Sequence, residues 1–532
     1  MPGMLAVLPS ATLDGLEGRS IRVEVDVAPG LPGFSIVGLP DAALQEARER
    51  VRGAIRNAGF VFPPRRITIN LAPAGLRKAG SALDLAMAMG ILLGSEQVRV
   101  GPAAVALIGE LSLGGEVRPV AGTLPMVAAL ARSGVQRVVL ARVAMDEARL
   151  VAGIAITGAD TLAEACAAVR SGRSRSRPVA RPRVTMAGQA SAEDDRSPVG
   201  SRTQAAYVTD SVPDLAEVRG QAQARRGLEI AMAGGHGLLM VGPPGVGKTL
   251  LARTIPGLLP ELDADAALAV SIVASASGEG PIRGLRRIPP FRSPHHTASA
   301  ASLVGGGPSL TPGEVTRADH GVLFLDELAE FDRDVLEALR QPLEEGRVTI
   351  VRAGRSTTFP ARFQLVAAMN PCPCGYAGSL PEARCRCSAS TIERYDRRVS
   401  GPMRDRIDLW VTLPRVAASA LVGQREPESS ATVAARIAAA RARSAARGDG
   451  RLNARLRGHR LRAACHLDDA TRRHAEELAD MVDSSARGTE RLLRVARTIA
   501  DLEGVAVVGH DHLDEAAGYR STASRSGATL AS

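Results

Sequence analysis

His236-Gly-Leu-Leu-Met-Val-Gly-Pro-Pro-Gly-Val-Gly-Lys-Thr-Leu-Leu-Ala252 decides the fold of this chain. Four apolar residues, Leu238–Val241, lead into a glycine loop, and an apolar helical pattern follows. A strand, a loop and a helix in that order aim backbone N–H groups and a helix N-terminus at one point, which makes an anion site. Gly242, Gly245 and Gly247 let the loop turn inward, and Pro243, Pro244 and Val246 complete a cradle for a triphosphate. Lys248 is placed to reach the β- and γ-phosphates, and Thr249 offers its hydroxyl to Mg²⁺. ATP with Mg²⁺ is therefore the expected cofactor pair. The composition singles out Lys248 as well. Of 66 Lys and Arg residues, only Lys78 and Lys248 are lysines. A compact ammonium fits between phosphates where a planar guanidinium does not.

Outward from the loop, Gly321-Val-Leu-Phe-Leu-Asp326-Glu327 is an apolar strand ending in two carboxylates. Asp326 is expected to hold Mg²⁺, and Glu327 to polarise the attacking water. A third strand, Gln364–Met369, ends in Asn370, a polar residue suited to orienting that water. Arg406 precedes another apolar strand, Leu409–Leu413, where an arginine acting on a neighbouring subunit's γ-phosphate would sit; Arg404 is its rival. Arg487 and Arg491, in a helical segment, are candidates for a contact to the phosphates of their own subunit.

The chain has 532 residues, enough for about three domains. No apolar run approaches the ~18 residues of a membrane span, and the first residues lack the basic start of a signal peptide. A cytoplasmic protein is expected. Residues 1–170 read as a mixed α/β domain, with strands at Ile21–Val27, Arg66–Asn70, Val105–Ile108 and Arg137–Leu140 and helices at Asp41–Asn57, Ser81–Leu93 and Leu124–Ser133. Residues 171–212 carry five arginines in their first thirteen positions, with Ser, Gly and Pro, and read as a flexible basic linker. The nucleotide-binding core spans 213–415. An all-helical lid spans 416–520, with helices expected at Thr432–Arg447, 468–482, 487–503 and 511–519, and a disordered tail follows at 521–532.

A net charge of +10 makes a polyanionic partner plausible, DNA or RNA first. Val348-Thr-Ile-Val-Arg-Ala-Gly-Arg-Ser-Thr-Thr-Phe359 reads as a β-hairpin with Arg352 and Arg355 at its tip, the best candidate for DNA contact. Its alternative is a surface hairpin with solvated arginines. Arg283-Gly-Leu-Arg-Arg287 with Arg292, His295 and His296 forms a second basic group, and Arg436–Arg462 a third, with nine arginines against one acid. Four cysteines, Cys372, Cys374, Cys385 and Cys387, lie close together in a chain without an export signal, which points to metal rather than disulfides. A structural Zn²⁺ suits four thiolates, although the single residue within each pair is tighter than the usual two to four; free or redox-active thiols are the alternative. Cys166 and Cys465 read as ordinary small buried residues.

Several further segments sharpen the picture: Asp214–Gln221, Arg292-Ser-Pro-His-His296, Leu339–Glu344, Asn370-Pro-Cys-Pro-Cys-Gly375 and Arg494–Asp501. Together with the nucleotide motifs they resemble the magnesium-chelatase-like branch of AAA+ ATPases, specifically the YifB/ComM family, over nearly the whole chain outside the linker and tail. The resemblance implies an α/β architecture with an AAA+ P-loop NTPase core and a C-terminal helical lid. It implies a homo-oligomeric ring, expected to be a hexamer, with ATP sites between subunits and the roles given above for Asn370, Arg406 and Arg487. It also implies a DNA branch-migration helicase or translocase; a protein-remodelling ATPase and a chelatase-type regulatory ATPase are the alternatives. Chelating subunits carry an acidic linker and an integrin-like domain, and this sequence has neither. The amino-terminal segments Asn70–Ser81 and Gly114–Leu124 resemble the Lon protease fold. Leu124 stands where that fold's catalytic lysine would be, so no Ser–Lys dyad is expected. Lys78, near Ser81, is expected to be a surface charge.

Overall fold

The computed structural model describes residues 4–528, apart from 39–41, 77, 79, 102–104, 172–211, 281, 307–309, 353–354, 379–384, 417–426, 448–450 and 483–484. The expected linker lies outside the described residues except at its two ends. The chain forms two compact units.

The first unit comprises residues 1–207, 267–286 and 307–312. Its strands β1 (Met4–Asp14), β2 (Glu17–Ala28), β3 (Gly33–Val37) and β4 (Arg66–Ala72) form a sheet in the order β1-β2-β4-β3. A parallel three-stranded sheet, β5-β6-β7, is made by Val105–Ile108, Arg137–Ala141 and Ala155–Ala159. Helices α1 (Ala42–Asn57), α2 (Asp84–Gly94) and α3 (Thr123–Arg132) fall close to their expected places. Sequence reading missed β1. Pro9 within it argues against a central strand, and β1 is indeed at the sheet edge, where proline is tolerated. Along β1, Ala6 and Leu8 are buried while Leu5 and Val7 are exposed, the alternation of a half-buried strand.

Lys78 is not a surface charge: it is fully buried, and its ammonium donates to the carbonyls of Gly38 (2.9 Å) and Pro73. Burial holds its pKa below the usual lysine range. The long stem lies in the core while the charge satisfies two loop carbonyls, an arrangement that sequence spacing does not reveal. Ser81 donates instead to the carboxylate of Glu110, and Leu124 is buried. Residues 267–286, counted with the nucleotide-binding core from sequence, pack in this first unit. A buried carboxylate ties them in: Glu147 accepts from Ser275 Oγ (2.5 Å), the Leu124 N–H (3.0 Å) and the Ile282 N–H (3.3 Å).

The second unit comprises 208–266, 287–306 and 313–532. Five parallel strands, β8 (Leu238–Val241), β9 (Phe291–Arg292), β10 (Val322–Leu325), β13 (Gln364–Met369) and β14 (Leu409–Thr412), take the order β9-β10-β13-β8-β14. A separate antiparallel hairpin joins β11 (Arg347–Arg352) to β12 (Arg355–Pro360). Strands β8, β10 and β13 are near-continuous apolar runs because both faces of a parallel sheet are covered. The helices α4 (Ser430–Ala446), α5 (Gly458–Cys465), α6 (Asp469–Val482), α7 (Ala486–Glu503) and α8 (His510–Ala528) form the helical region. Apolar residues from this region, among them Ile437, Leu461 and Ile499, share one core with Leu238, Phe324 and Val366 of the sheet. The expected disordered tail is corrected in part, since α8 continues to Ala528.

A buried polar network also joins helices to sheet. His236, just before β8, bonds Asp408 through Nδ1 (3.0 Å) and Thr498 of α7 through Nε2 (2.8 Å). Asn453 donates to Thr498 Oγ1 (3.0 Å) and to Asp501 (2.7 Å). Asp501 accepts two bonds from Arg447 (2.7 and 2.6 Å) and one from Arg497 (3.1 Å). Burial alone would raise the Asp408 pKa. The His236 hydrogen bond and the charges of Arg494, His236 and Arg520 instead hold it below the usual carboxylate range.

Candidate nucleotide site

The loop between β8 and the helix Lys248–Arg253 is shaped by its glycines. Gly245 (φ +78°) and Gly247 (φ +94°) adopt the left-handed region, and a Cβ at either would meet no atom within 4 Å. Backbone conformation, not crowding, therefore demands glycine there, and the space above the loop is open. Gly242 differs: a Cβ would fall 2.5 Å from the Leu413 carbonyl oxygen, so it is needed for close packing against the chain after β14.

Lys248 Nζ donates to the carbonyls of Gly242 (2.6 Å) and Pro243 (2.9 Å) and to Asn370 Oδ1 (3.0 Å). These oxygens stand in for the phosphate oxygens that an ammonium in such a loop would otherwise meet. Burial lowers the Lys248 pKa, while Asp326 and Glu327 pull it back up. Thr249 Oγ1 donates to Asp326 Oδ2 at 2.7 Å. A hydroxyl and a carboxylate oxygen converging at a strand end suit a hard divalent cation, so the residues present fit Mg²⁺. The neighbouring N–H of Glu327 donates to Asp326 Oδ1 at 2.9 Å, fixing that carboxylate.

Glu327 has φ +53°, a left-handed conformation that a glutamate adopts at a cost. Its carboxylate lies 3.3 Å from His296 Nδ1 and is half exposed. Sequence reading grouped His296 with basic residues and missed this pairing. The rings of His295 and His296 lie 4.2 Å apart, with His295 Nδ1 bonded to Thr297 Oγ1 at 2.9 Å. The structure thus brings Lys248, Thr249, Asp326, Glu327 and Asn370 together, although they come from three separate strand ends.

The arginines form a second assembly. Arg404 is engaged by its own chain through the carbonyls of Val399 (2.9 Å) and Asp396, the Asp396 carboxylate (2.6 Å), and the Trp410 ring, 5.5 Å from the guanidinium carbon to its centre. Arg406 instead lines a cavity of 430 Å³ with Arg457, Arg487, Arg491 and Arg494, faced by Glu344, Asp405, Asp408 and Glu490. Arg406 pairs there with Glu344 and donates to the Pro402 carbonyl. Burial lowers its pKa, as do the charges of Arg340 and Arg487. The Nε atoms of Arg406 and Arg494 are buried with no hydrogen-bond partner among the described residues. No phosphate-loop residue lines this cavity. Arg487 and Arg491 share this cavity with Arg406.

The four clustered cysteines also converge: their Sγ atoms all lie within 4.8 Å of one another. In the hairpin, the register pairs Arg352 with Arg355, Val351 with Ser356 and Thr349 with Thr358. Val351 beside the tip is exposed. Among the described residues, no helix is long and apolar enough to cross a membrane.

Comparisons with known proteins agree along the chain. Residues 23–144 match the family "Subunit ChlI of Mg-chelatase", 214–421 match "Magnesium chelatase, subunit ChlI", and 427–520 match its C-terminal family. The chain is 41% identical over 519 residues to YifB of Escherichia coli, covering 97% of each. It is 39% identical over 521 residues to competence protein ComM of Haemophilus influenzae, again covering 97% of each. The magnesium-chelatase 38 kDa subunit of Rhodobacter capsulatus is more distant, 26% identical over 297 residues, which cover 53% of this chain and 78% of that subunit. With an N-terminal ChlI domain, a parallel-sheet nucleotide core and a C-terminal helical region in this order, the chain belongs to the YifB/ComM family of magnesium-chelatase-type proteins, a membership that implies ATP hydrolysis.

Proposed function

We propose that this chain is an ATP-driven ring motor that moves DNA strands, a branch-migration helicase or translocase serving recombination or DNA uptake. The observation that supports it most is the convergence of Lys248, Thr249, Asp326, Glu327 and Asn370 around an open glycine loop. The loop N–H groups and Lys248 would hold the phosphates, and Thr249 and Asp326 the Mg²⁺, which when bound offsets the charge on the β- and γ-oxygens. Glu327 would accept a proton from water, and Asn370 would orient that water. Arg406 and Arg487, which line one cavity without a phosphate-loop residue, would reach the γ-phosphate of a neighbouring subunit. That assignment requires an oligomer, and a hexamer is the form we propose.

The DNA assignment rests on the net charge of +10, on paired Arg352 and Arg355 in the hairpin, and on the likeness to a competence protein. The amino-terminal unit we take as a Lon-like module without peptidase chemistry. The test compares ATPase rates without DNA and with single-stranded and forked DNA. Forked DNA is expected to raise the rate severalfold. Replacing Arg352 and Arg355 together by Ala is expected to remove that rise and to make the salt dependence of DNA binding shallower by about 1–2 in log–log slope. If DNA leaves the rate unchanged and the arginine variant binds DNA like the parent, the motor acts on protein or in a chelatase-type complex instead.

A further inference from the structure

Cys372, Cys374, Cys385 and Cys387 sit directly beside the proposed catalytic centre. Their Sγ–Sγ separations include 3.3 Å (Cys372–Cys374), 3.9 Å (Cys372–Cys385) and 3.7 Å (Cys374–Cys385). A disulfide would need about 2.05 Å, and all four cysteines are free. Four thiolates about 2.3 Å from one tetrahedral Zn²⁺ lie about 3.8 Å from each other. The observed spacings bracket that value, so the set has the size of a tetrahedral thiolate cage rather than of two cystines. Cys372 is fully buried, and its sulfur accepts the Ala377 N–H at 3.3 Å, as a ligating thiolate does.

The segment that carries the first cysteine pair also touches the nucleotide loop. Asn370, two residues before Cys372, accepts from Lys248. Gly375, one residue after Cys374, donates to the Cys372 carbonyl at 2.9 Å. It has φ +84°, and a Cβ there would fall 2.7 Å from Pro244 Cδ and 3.8 Å from Asn370 Cγ. The backbone at Gly375 is therefore packed on the phosphate loop itself. Tyr376 lies under the guanidinium of Arg415, 5.4 Å from its ring centre, which ties the same turn to the chain after β14.

We propose that the four cysteines bind one zinc ion, and that this zinc holds Asn370 and Gly375 against the phosphate loop, so that metal occupancy sets the rate of ATP hydrolysis. Zinc ties the second pair, Cys385 and Cys387, to the turn at Cys372–Gly375. Without it, that turn loses its metal cross-link, and Asn370 is held less firmly where it meets Lys248. The proposal rests on the assignment of Asn370 and Lys248 to the nucleotide site given above.

The experiment uses the full chain and three readouts: zinc content, thermal unfolding, and steady-state ATPase kinetics. The purified protein is expected to hold about one zinc per chain, released when a mercurial titrates the thiols. Cys385→Ser and Cys387→Ser are expected to lose the zinc and to lower kcat about 10- to 100-fold, with a much smaller change in KM for ATP, because a displaced positioning group costs rate rather than binding. Cys166→Ser, in the other unit, is expected to keep zinc and rate. Should the ligand variants not fold, Gly375→Ala serves instead: it leaves all four thiols in place, so it should keep zinc while lowering kcat. Removing zinc from the wild-type protein with a chelator and restoring it should lower and recover the rate. Protein that hydrolyses ATP but carries no zinc, or carries iron, overturns the metal assignment. Zinc-free or Gly375→Ala protein with an unchanged kcat overturns the coupling. Wild-type protein that holds zinc yet neither binds nor splits ATP overturns the nucleotide assignment, and with it the coupling, while zinc binding stands.

Discussion

Glu327→Gln is expected to bind MgATP normally and to turn it over about 10²- to 10⁴-fold more slowly, the usual contribution of a positioned general base. The amide keeps the size and hydrogen-bonding reach of the carboxylate but does not take the proton of water. The change also leaves the neighbouring Thr249–Asp326 pair untouched. Glu327 has a left-handed backbone conformation, and its carboxylate lies near His296. Lys248→Ala supplies the contrast. It removes the ammonium that now satisfies Gly242, Pro243 and Asn370, and it should weaken ATP binding roughly 10- to 100-fold, the loss expected for charge-assisted bonds. Titration with a fluorescent ATP analogue, beside single-turnover hydrolysis, separates the two. A Glu327→Gln protein that hydrolyses ATP at the wild-type rate would remove Glu327 from the mechanism.

Asp501→Ala is expected to destabilise the second unit by about 3–5 kcal/mol, the cost of breaking a buried ion pair from one side. Asp501 is 2% exposed and Arg497 1%. The carboxylate accepts from Arg447, Arg497 and Asn453 together. Its removal leaves the buried Arg497 guanidinium without a counter-charge, and it takes the partner from Arg447, whose side chain is 26% exposed. Arg497 would still donate to the carbonyls of Ala464 (3.1 Å), Val505 (2.5 Å) and Ala506 (2.6 Å), so its charge, not its hydrogen bonding, becomes the problem. Calorimetry should show the unfolding transition lowered by roughly 5–15 °C. Because Asn453 and Thr498 pass the network on to His236 at the start of β8, the loss should also loosen the attachment of α7 to the nucleotide-binding sheet. A transition within a degree of wild type would mean that the network adds nothing net to stability.

The two effects differ in how far they could be anticipated. The strand ending in Asp326 and Glu327 was legible because its signal is local: an apolar run followed at once by two acids needs only neighbouring residues to be recognised. The same holds for Leu238–Thr249, where strand, glycine loop and helix are contiguous, and for Asn370 at the end of its strand. Asp501 was quoted from sequence only as part of a family-like segment. Arg497 lies four residues earlier on α7, but Arg447 and Asn453 come from the end of α4 and the segment after it, and charge spacing along α7 gives no hint that one face is buried. The nine arginines of 436–462 read as a solvated face or a DNA surface. In the structure Arg436 pairs with Glu229 and Glu428, Arg441 donates to the Met232 carbonyl, and Arg447 to Asp501, so part of that run holds the fold together.

By itself the sequence determined the nature of the nucleotide site, the order of the segments, most helices and strands, and the thiol set at 372–387, since each of these is encoded by residues close together in the chain and by simple periodicity. Only the tertiary structure decided that Lys78 is buried, that residues 267–286 join the first unit, that His296 meets Glu327, that Arg487 shares a cavity with Arg406, and that Gly375 packs on Pro244. All of these depend on how distant segments are brought together. Strand order and long-range packing select those neighbours through burial and hydrogen-bond satisfaction across the whole core, and a one-dimensional pattern carries no direct record of that choice.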